Sequence, residues 1–233
     1  YVNSQTGIGM DYDTFTIGFA RRVTPYKRAD LLLSDINRLV EINDKTGRIQ
    51  IIYAGKAHPK DGGGKELIKN IFSRIKELSP KIKIAYLENY DMTQGKLITS
   101  GVDLWLNNPL PPREASGTSG MKACLNGVPN LSVLDGWWIE GCIENVTGWA
   151  IGTSASLSAD GEQSRTIGSI QKQDTNSAQD AEDLYQKLEG IIIPMFYKEK
   201  NKWIEIMRHT IALNASFFNT QRMVQEYVLN AYL

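Results

Sequence analysis

The chain has 233 residues, enough for one large α/β domain or two small ones with a buried core. Its 26 lysines and arginines balance 26 acids, which argues against a general nucleic-acid or membrane-surface binder and leaves room for a local basic site. The two cysteines, Cys124 and Cys142, have no metal-ligand spacing and no CxxC pairing; they read as thiols of a reducing compartment, with no metal site expected. No secretory signal is visible, and no apolar run approaches the ~20 residues of a membrane span. The expected setting is cytoplasmic. The chain opens YVNSQTGIGMDYDTF without an initiator methionine, and is expected to be a fragment of something longer.

In chain order, FTIGFA (15–20) is a short apolar run with the pattern of a buried parallel strand. Arg21-Arg22-Val23-Thr24-Pro25-Tyr26-Lys27-Arg28 follows with four cations in eight residues. An amphipathic helix is expected over 29–42 from Leu31, Leu32, Ile36, Leu39 and Val40. Cations at a helix N-terminus oppose its dipole; an anionic ligand would resolve the conflict, and a solvated basic turn is the plain alternative. IQIIYA (49–54) is a second strand, then Gly55-Lys56-Ala57-His58. Gly62-Gly63-Gly64 lacks P-loop spacing and reads as a flexible connection to a helix over 65–78; His58 before a proline reads as structural. KIAYL (83–87) is a third strand, ending in Glu88-Asn89-Tyr90-Asp91. A helix over 93–100 and a strand over 102–106 come next.

Asn107 to Glu140 then concentrates prolines, the pair Arg113-Glu114, the small-residue loop 115–120 and Lys122. Met121 to Gly127 reads as a short helix, with Gly127 suited to its C-terminal stop. A glycine-rich turn opening a helix offers free N–H groups to an anion, but taken alone it is equally an ordinary turn. A fifth strand is expected at 131–134. The strand–helix alternation predicts a doubly wound, mainly parallel Rossmann-like sheet. Its loops at 21–28, 55–58, 88–91, 107–120 and 135–141 would all reach one edge. Residues 153–179 read as a polar excursion, 181–198 as a helix bent near Pro194, and 203–233 as helical with a cap at Asn219 or Thr220.

Glu114-Ala-Ser-Gly-Thr-Ser-Gly-Met-Lys122 resembles the pyridoxal phosphate (PLP) segment of the glycogen/α-glucan phosphorylases. Arg21-Arg22 with Tyr26-Lys27-Arg28, Gly55-Lys56-Ala57, Leu87-Glu88-Asn89-Tyr90, Leu125-Asn126-Gly127 and Leu134-Asp135-Gly136 match the same family in the same order. The resemblance is detailed over about 15–152 and looser in the C-terminal helices. It implies the C-terminal domain of a two-domain GT-B glycosyltransferase architecture, spanning 1–233, with the N-terminal domain of the same enzyme absent. It further implies phosphorolysis of α-1,4-glucan to glucose 1-phosphate, with α-glucan and inorganic phosphate as partners; a homo-oligomer in the full enzyme is left open.

By the same resemblance Lys122 carries PLP, Thr118, Gly117 and Tyr90 contribute to its site, and Arg21 and Lys27 handle its phosphate. Arg22 matches the arginine on substrate phosphate and, with Arg21 and Lys27, forms the catalytic cation set. Glu114, Ser116 and Gly117 match positions that hydrogen-bond the transferred glucose. Two neighbouring phosphates repel, so such a site needs several cations and oriented N–H groups. The chain departs from the common Lys-Arg-Ile-His-Glu-Tyr-Lys at 21–27, has Gly120 where asparagine is usual, and carries an unusual Trp137-Trp138 pair; these departures resemble a divergent prokaryotic branch. Two other readings compete: a PLP-free nucleotide-sugar transferase, which has no reason to keep Lys122, and a module that only binds phosphate or cofactor.

Overall fold

A computed structural model describes residues 1–152 and 177–232. The elements in order are α1 (Val2–Thr6), β1 (Phe15–Ala20), two 3₁₀ turns (Pro25–Lys27 and Leu31–Leu33), α2 (Ile36–Lys45), β2 (Ile49–Ala54), α3 (Gly62–Leu78), β3 (Lys83–Leu87), α4 (Met92–Ser100), β4 (Leu104–Asn107), α5 (Thr118–Leu125), β5 (Asn130–Val133), α6 (Trp138–Gly141) and β6 (Gly148–Ile151). After the undescribed stretch come α7 (Ser177–Lys187), α8 (Ile193–Lys198), α9 (Lys200–His209) and α10 (Thr220–Tyr227), with π-helical turns at Leu188–Ile192, Thr210–Ala215 and Val228–Tyr232.

The six strands pair in the order β3-β2-β1-β4-β5-β6, and every pairing is parallel. β1 and β2 are buried along their whole length, which is why they read as mainly apolar runs and not as alternating ones. Side chains alternate between two cores. Phe15, Ile17, Phe19, Ile49 and Ile51 face α2, α3 and the helices α7 to α9. Ala20, Ile52, Ala54 and Trp105 face α4 and α5, through Ile98 and Ala123. The architecture is therefore the doubly wound Rossmann-like sheet that the alternation predicts.

Several local expectations change. The helix expected over 29–42 starts only at Ile36, where the Asp35 side chain accepts from the Arg38 N–H at 2.9 Å. Residues 25–33 form two 3₁₀ turns instead, so the cations at 21–28 do not sit on a helix N-terminus and the dipole conflict does not arise. The glycines 62–64 are the first turn of α3, capped by Asp61 accepting from Gly64 N at 2.8 Å. Thr118 to Gly120 likewise belong to α5 and not to a loop. β6 and α1 are additional elements. The polar excursion lies outside the described residues up to 176, and 177–179 are helical.

The expected bend near Pro194 takes the form of the π turn at Leu188–Ile192, directly before α8. Proline lacks the N–H that an α ladder requires there, and a wider turn accommodates the loss. Asn219 caps α10, accepting from Arg222 N at 2.9 Å. α7, α8 and α9 join the sheet's core, whereas α10 buries no residue.

Candidate functional site

Strand order reverses between β1 and β4, both of which leave the sheet at the same edge. A doubly wound sheet opens its ligand crevice at such a switch point. The loops following these two strands are tied together by backbone and side-chain bonds. Leu110 N donates to Tyr26 O at 2.7 Å. Asn108 Nδ2 donates to Arg28 O at 2.6 Å, while Arg28 donates back to Asn108 O at 2.9 Å and to Pro109 O at 3.0 Å. Arg28 also pairs with Asp180 of α7 at 2.6 Å, both side chains being buried. Arg28 thus ties the two loops to each other and to α7, a duty its place in a cation run does not disclose.

Within this frame three candidate residues meet. Glu114 Oε2 accepts from Arg21 Nη2 at 2.8 Å and from Lys27 Nζ. All three side chains are at most 9% exposed. One carboxylate between two cations leaves a net positive charge in a place where water screens little. Burial lowers the Arg21 guanidinium from its ordinary pKa, opposed by the Glu114 charge and hydrogen bond. Arg21 Nη1 is buried with no partner among the described residues, an unmet donor. Tyr90 stands within electrostatic reach of Arg21, and burial raises its phenol above the ordinary value while Arg21 opposes that rise. Arg22 is exposed and makes no ion pair among the described residues.

The remaining candidates lie along the next turn of chain. Gly117 takes a left-handed backbone (φ 84°) and opens α5, a conformation that favours glycine. Ser116, Thr118, Met121 and Lys122 line a cleft of about 1190 Å³ whose other wall comes from Phe217 to Asn230. Lys122 is exposed and has no acidic partner among the described residues. Arg21, Lys27 and Tyr90 do not line this cleft. The structure therefore gathers Arg21, Lys27 and Glu114 directly, and sets Lys122 on the adjoining face of α5. Ser119 Oγ is likewise a buried polar atom with no partner among the described residues, as are Thr24 Oγ1, after β1, and Asn107 Oδ1 and Asn108 Oδ1, at the end of β4.

Trp137 and Trp138 are core residues, 4% and 0% exposed. Trp138 donates to Trp149 O at 3.2 Å, and Trp137 packs edge-on against Phe218 at 5.1 Å. A site member that the sequence does not single out is Asp135, which follows β5. Its Oδ2 accepts from Glu114 N at 2.8 Å and its Oδ1 from Gly136 N at 2.9 Å. Its place in the Leu-Asp-Gly match was the available signal. Among the described residues no cluster of three or more His, Cys, Asp or Glu could hold a metal ion. No helix among them is long and apolar enough to cross a membrane.

An all-parallel sheet in this order, with buried cations at its switch point, defines a Rossmann-like domain suited to an anionic ligand. Residues 1–232 match the family described as carbohydrate phosphorylase, and the chain belongs to that family. It is 43% identical over 232 residues to a glycogen phosphorylase of Aquifex aeolicus, covering 97% of this chain and 31% of the relative. It is 45% identical over 224 residues to a maltodextrin phosphorylase of Thermococcus litoralis, covering 96% of this chain and 25% of the relative. The chain thus spans between a quarter and a third of the length of these relatives. A solved structure of Anabaena Alr3699/HepE in complex with UDP and glucose superposes with a TM-score of 0.66 at 19% identity, over 97% of this chain and 49% of that one. That likeness shows the fold.

Proposed function

We propose that this chain is the C-terminal, PLP-carrying part of an α-glucan phosphorylase, which releases glucose 1-phosphate from α-1,4-glucan with inorganic phosphate. In this reading residues 1–233 form one domain of a two-domain GT-B enzyme. The N-terminal domain supplies the opposite wall of the crevice and the glucan acceptor site. A cytoplasmic location goes with it, a compartment in which the two unpaired thiols persist.

The observation that carries the reading is the buried Arg21–Glu114–Lys27 group at the switch point, with Arg21 Nη1 unmet. These residues fit a bound phosphate. The chemistry PLP supplies when bound is a phosphate group able to exchange a proton with inorganic phosphate. Arg21 and Lys27 offset the charge of that group, and Arg22, unpaired and exposed, holds the substrate phosphate beside it. Thr118 and the first amides of α5 add N–H donors, and Tyr90 stands beside Arg21 at the phosphate end of the site. Lys122 serves as the cofactor's anchor, a role that an exposed amine without an acidic partner suits. Glu114, Ser116 and Gly117 face the glucosyl unit, where the carboxylate's second oxygen is left for a sugar hydroxyl. A PLP-free nucleotide-sugar transferase would leave Lys122 without a task.

The test is chemical. The complete protein is incubated with PLP, reduced with borohydride and digested, and the label is mapped. Modification at Lys122, absent in Lys122→Ala, is expected. Stoichiometric label on another lysine, or no label at all, would overturn the cofactor assignment.

A further inference from the structure

We propose that Asp135 is a positioning residue for this site: it fixes the backbone of Glu114 and, through it, the carboxylate that gathers Arg21 and Lys27. The inference rests on the phosphorolysis reading above. Asp135 is 5% exposed, and no lysine or arginine lies within ion-pair distance of it among the described residues. A buried carboxylate without a cation must be met by hydrogen bonds, and both of its oxygens are: Oδ1 by the neighbouring Gly136 N–H, Oδ2 by Glu114 N–H, 21 residues away in the chain.

The residues after it complete the hold. Trp137 N donates to Ser116 O at 2.9 Å, so hydrogen bonds run in both directions between 135–137 and 114–116. Gly136 adopts φ 58°, and a Cβ there would lie 2.5 Å from Ser116 O and 3.0 Å from Glu114 O. The Glu114 loop therefore rests against the Gly136 backbone with no room for a side chain between them. Gly117 is less crowded: a Cβ there would stand 3.4 Å from both Glu114 Cγ and Trp137 Cδ1, and its left-handed backbone is what favours glycine. Glu114 is buried in a loop, yet its main chain is fixed from β5, the strand next to its own. A carboxylate shared by two cations is sensitive to placement, and an ångström of drift at a reacting site costs roughly 100-fold in rate.

The experiment uses the complete protein, with maltoheptaose and inorganic phosphate as substrates, and compares Asp135→Ala, Asp135→Asn, Glu114→Gln and the double variants. Asp135→Ala is expected to lower kcat by roughly 100-fold, with KM values for both substrates moving less than about threefold. Asp135→Asn keeps one oxygen to accept from Glu114 N and should recover most of the rate. In the Glu114→Gln background the Asp135→Ala change should cost little more, because one residue acts through the other. Losses that multiply, or an Asp135→Ala protein of unchanged kcat, would overturn the positioning role while leaving phosphorolysis standing. Wild-type protein that releases no glucose 1-phosphate would overturn both. Should Asp135→Ala fail to fold, Asp135→Glu, which keeps the charge but moves the accepting oxygens by one methylene, takes its place in the cycle with Glu114→Gln: losses that fail to multiply support the positioning role, and losses that multiply, or an Asp135→Glu protein of unchanged kcat, overturn it.

Discussion

At the residue scale, two of the three departures from the common family pattern, Gly120 and Trp137, prove to be one packing unit. A Cβ on Gly120 would stand 2.6 Å from Asn130 Oδ1 and 2.9 Å from Trp137 Nε1. Asn130 is fully buried, and its amide nitrogen donates to Gly120 O at 3.3 Å and reaches Cys124 Sγ at 3.2 Å. The indole of Trp137 and the Asn130 amide thus fill the space beside α5 that a larger residue at 120 would need. Gly120→Ala would gain about 1 kcal/mol from helix propensity. The clash with the buried Asn130 amide oxygen and the Trp137 indole nitrogen opposes that gain, because a packed interior gives way only at about 1–3 kcal/mol. A net loss of up to about 2 kcal/mol is expected in urea unfolding of Gly120→Ala. A stabilised variant would show that Trp137 and Asn130 shift freely. Neither tryptophan is free for stacking against sugar; Trp138 is wholly enclosed, and Trp137 shows the Lys122 cleft only an edge.

At the element scale, α7 is held by the Arg28–Asp180 pair as well as by its apolar face of Ala181, Leu184 and Tyr185. Both partners of that pair are more than nine-tenths buried. Removing one leaves a buried charge, a loss of about 3 kcal/mol. Asp180→Ala should therefore lower stability by that order in chemical denaturation, whereas the half-exposed Arg38–Glu189 pair is worth at most about 1 kcal/mol. An Asp180→Ala loss below that of Glu189→Ala would show that the Asn108 and Pro109 carbonyls alone satisfy Arg28. These ties also show which elements the sequence discloses. β1, β2 and β3 are legible because each is a mainly apolar run of five or six residues bounded by polar turns, with Thr16, Gln50 and Lys83 the polar members. β6 is only four residues long and starts at a glycine, so nothing local separates it from the loop before it. The helix expected over 29–42 fails at its start because Leu31 to Leu33, apolar in a row, serve a 3₁₀ turn, and Asp35 provides the cap. Arg21, Lys27 and Glu114 stand out by residue type, but the Lys27–Glu114 contact spans 87 positions and exists only once β1 and β4 are neighbours. The Asp135 bond to Glu114 needs β5 in place as well, so no pattern within one segment announces it.

At the scale of the whole molecule, equal numbers of acids and bases leave little net self-repulsion near neutral pH, and three buried groups with raised pKa bear on stability at alkaline pH. Burial pushes the Cys124 thiol, between α5 and the Thr210–Ala215 turn, up to about 12, although Asn214 and Asn130 hydrogen bonds oppose it. Burial does the same for Cys142, aided by Glu144, and raises the Tyr86 phenol to about 12. Each group must stay protonated in the folded chain, while in the unfolded chain the thiols ionise from about pH 9.0 and the phenol from about 10.0. Above those values the unfolded state holds fewer protons than the folded one, so stability falls as pH rises, and the loss accumulates until about pH 12. Below the thiols' unfolded value both states are protonated and these groups contribute no slope. Denaturant midpoints should accordingly be unaffected by these three groups up to about pH 8 and then decline towards about pH 11. Cys142→Ser, which removes one ionisation, should make that decline shallower without changing its onset at Cys124. An equally steep decline in the double Cys124→Ala, Cys142→Ser protein would assign the alkaline loss to the tyrosines. A midpoint that stays level to about pH 11 in the wild-type chain would mean that the thiols are not held from water in the way that α5, α6 and the C-terminal helices enclose them here.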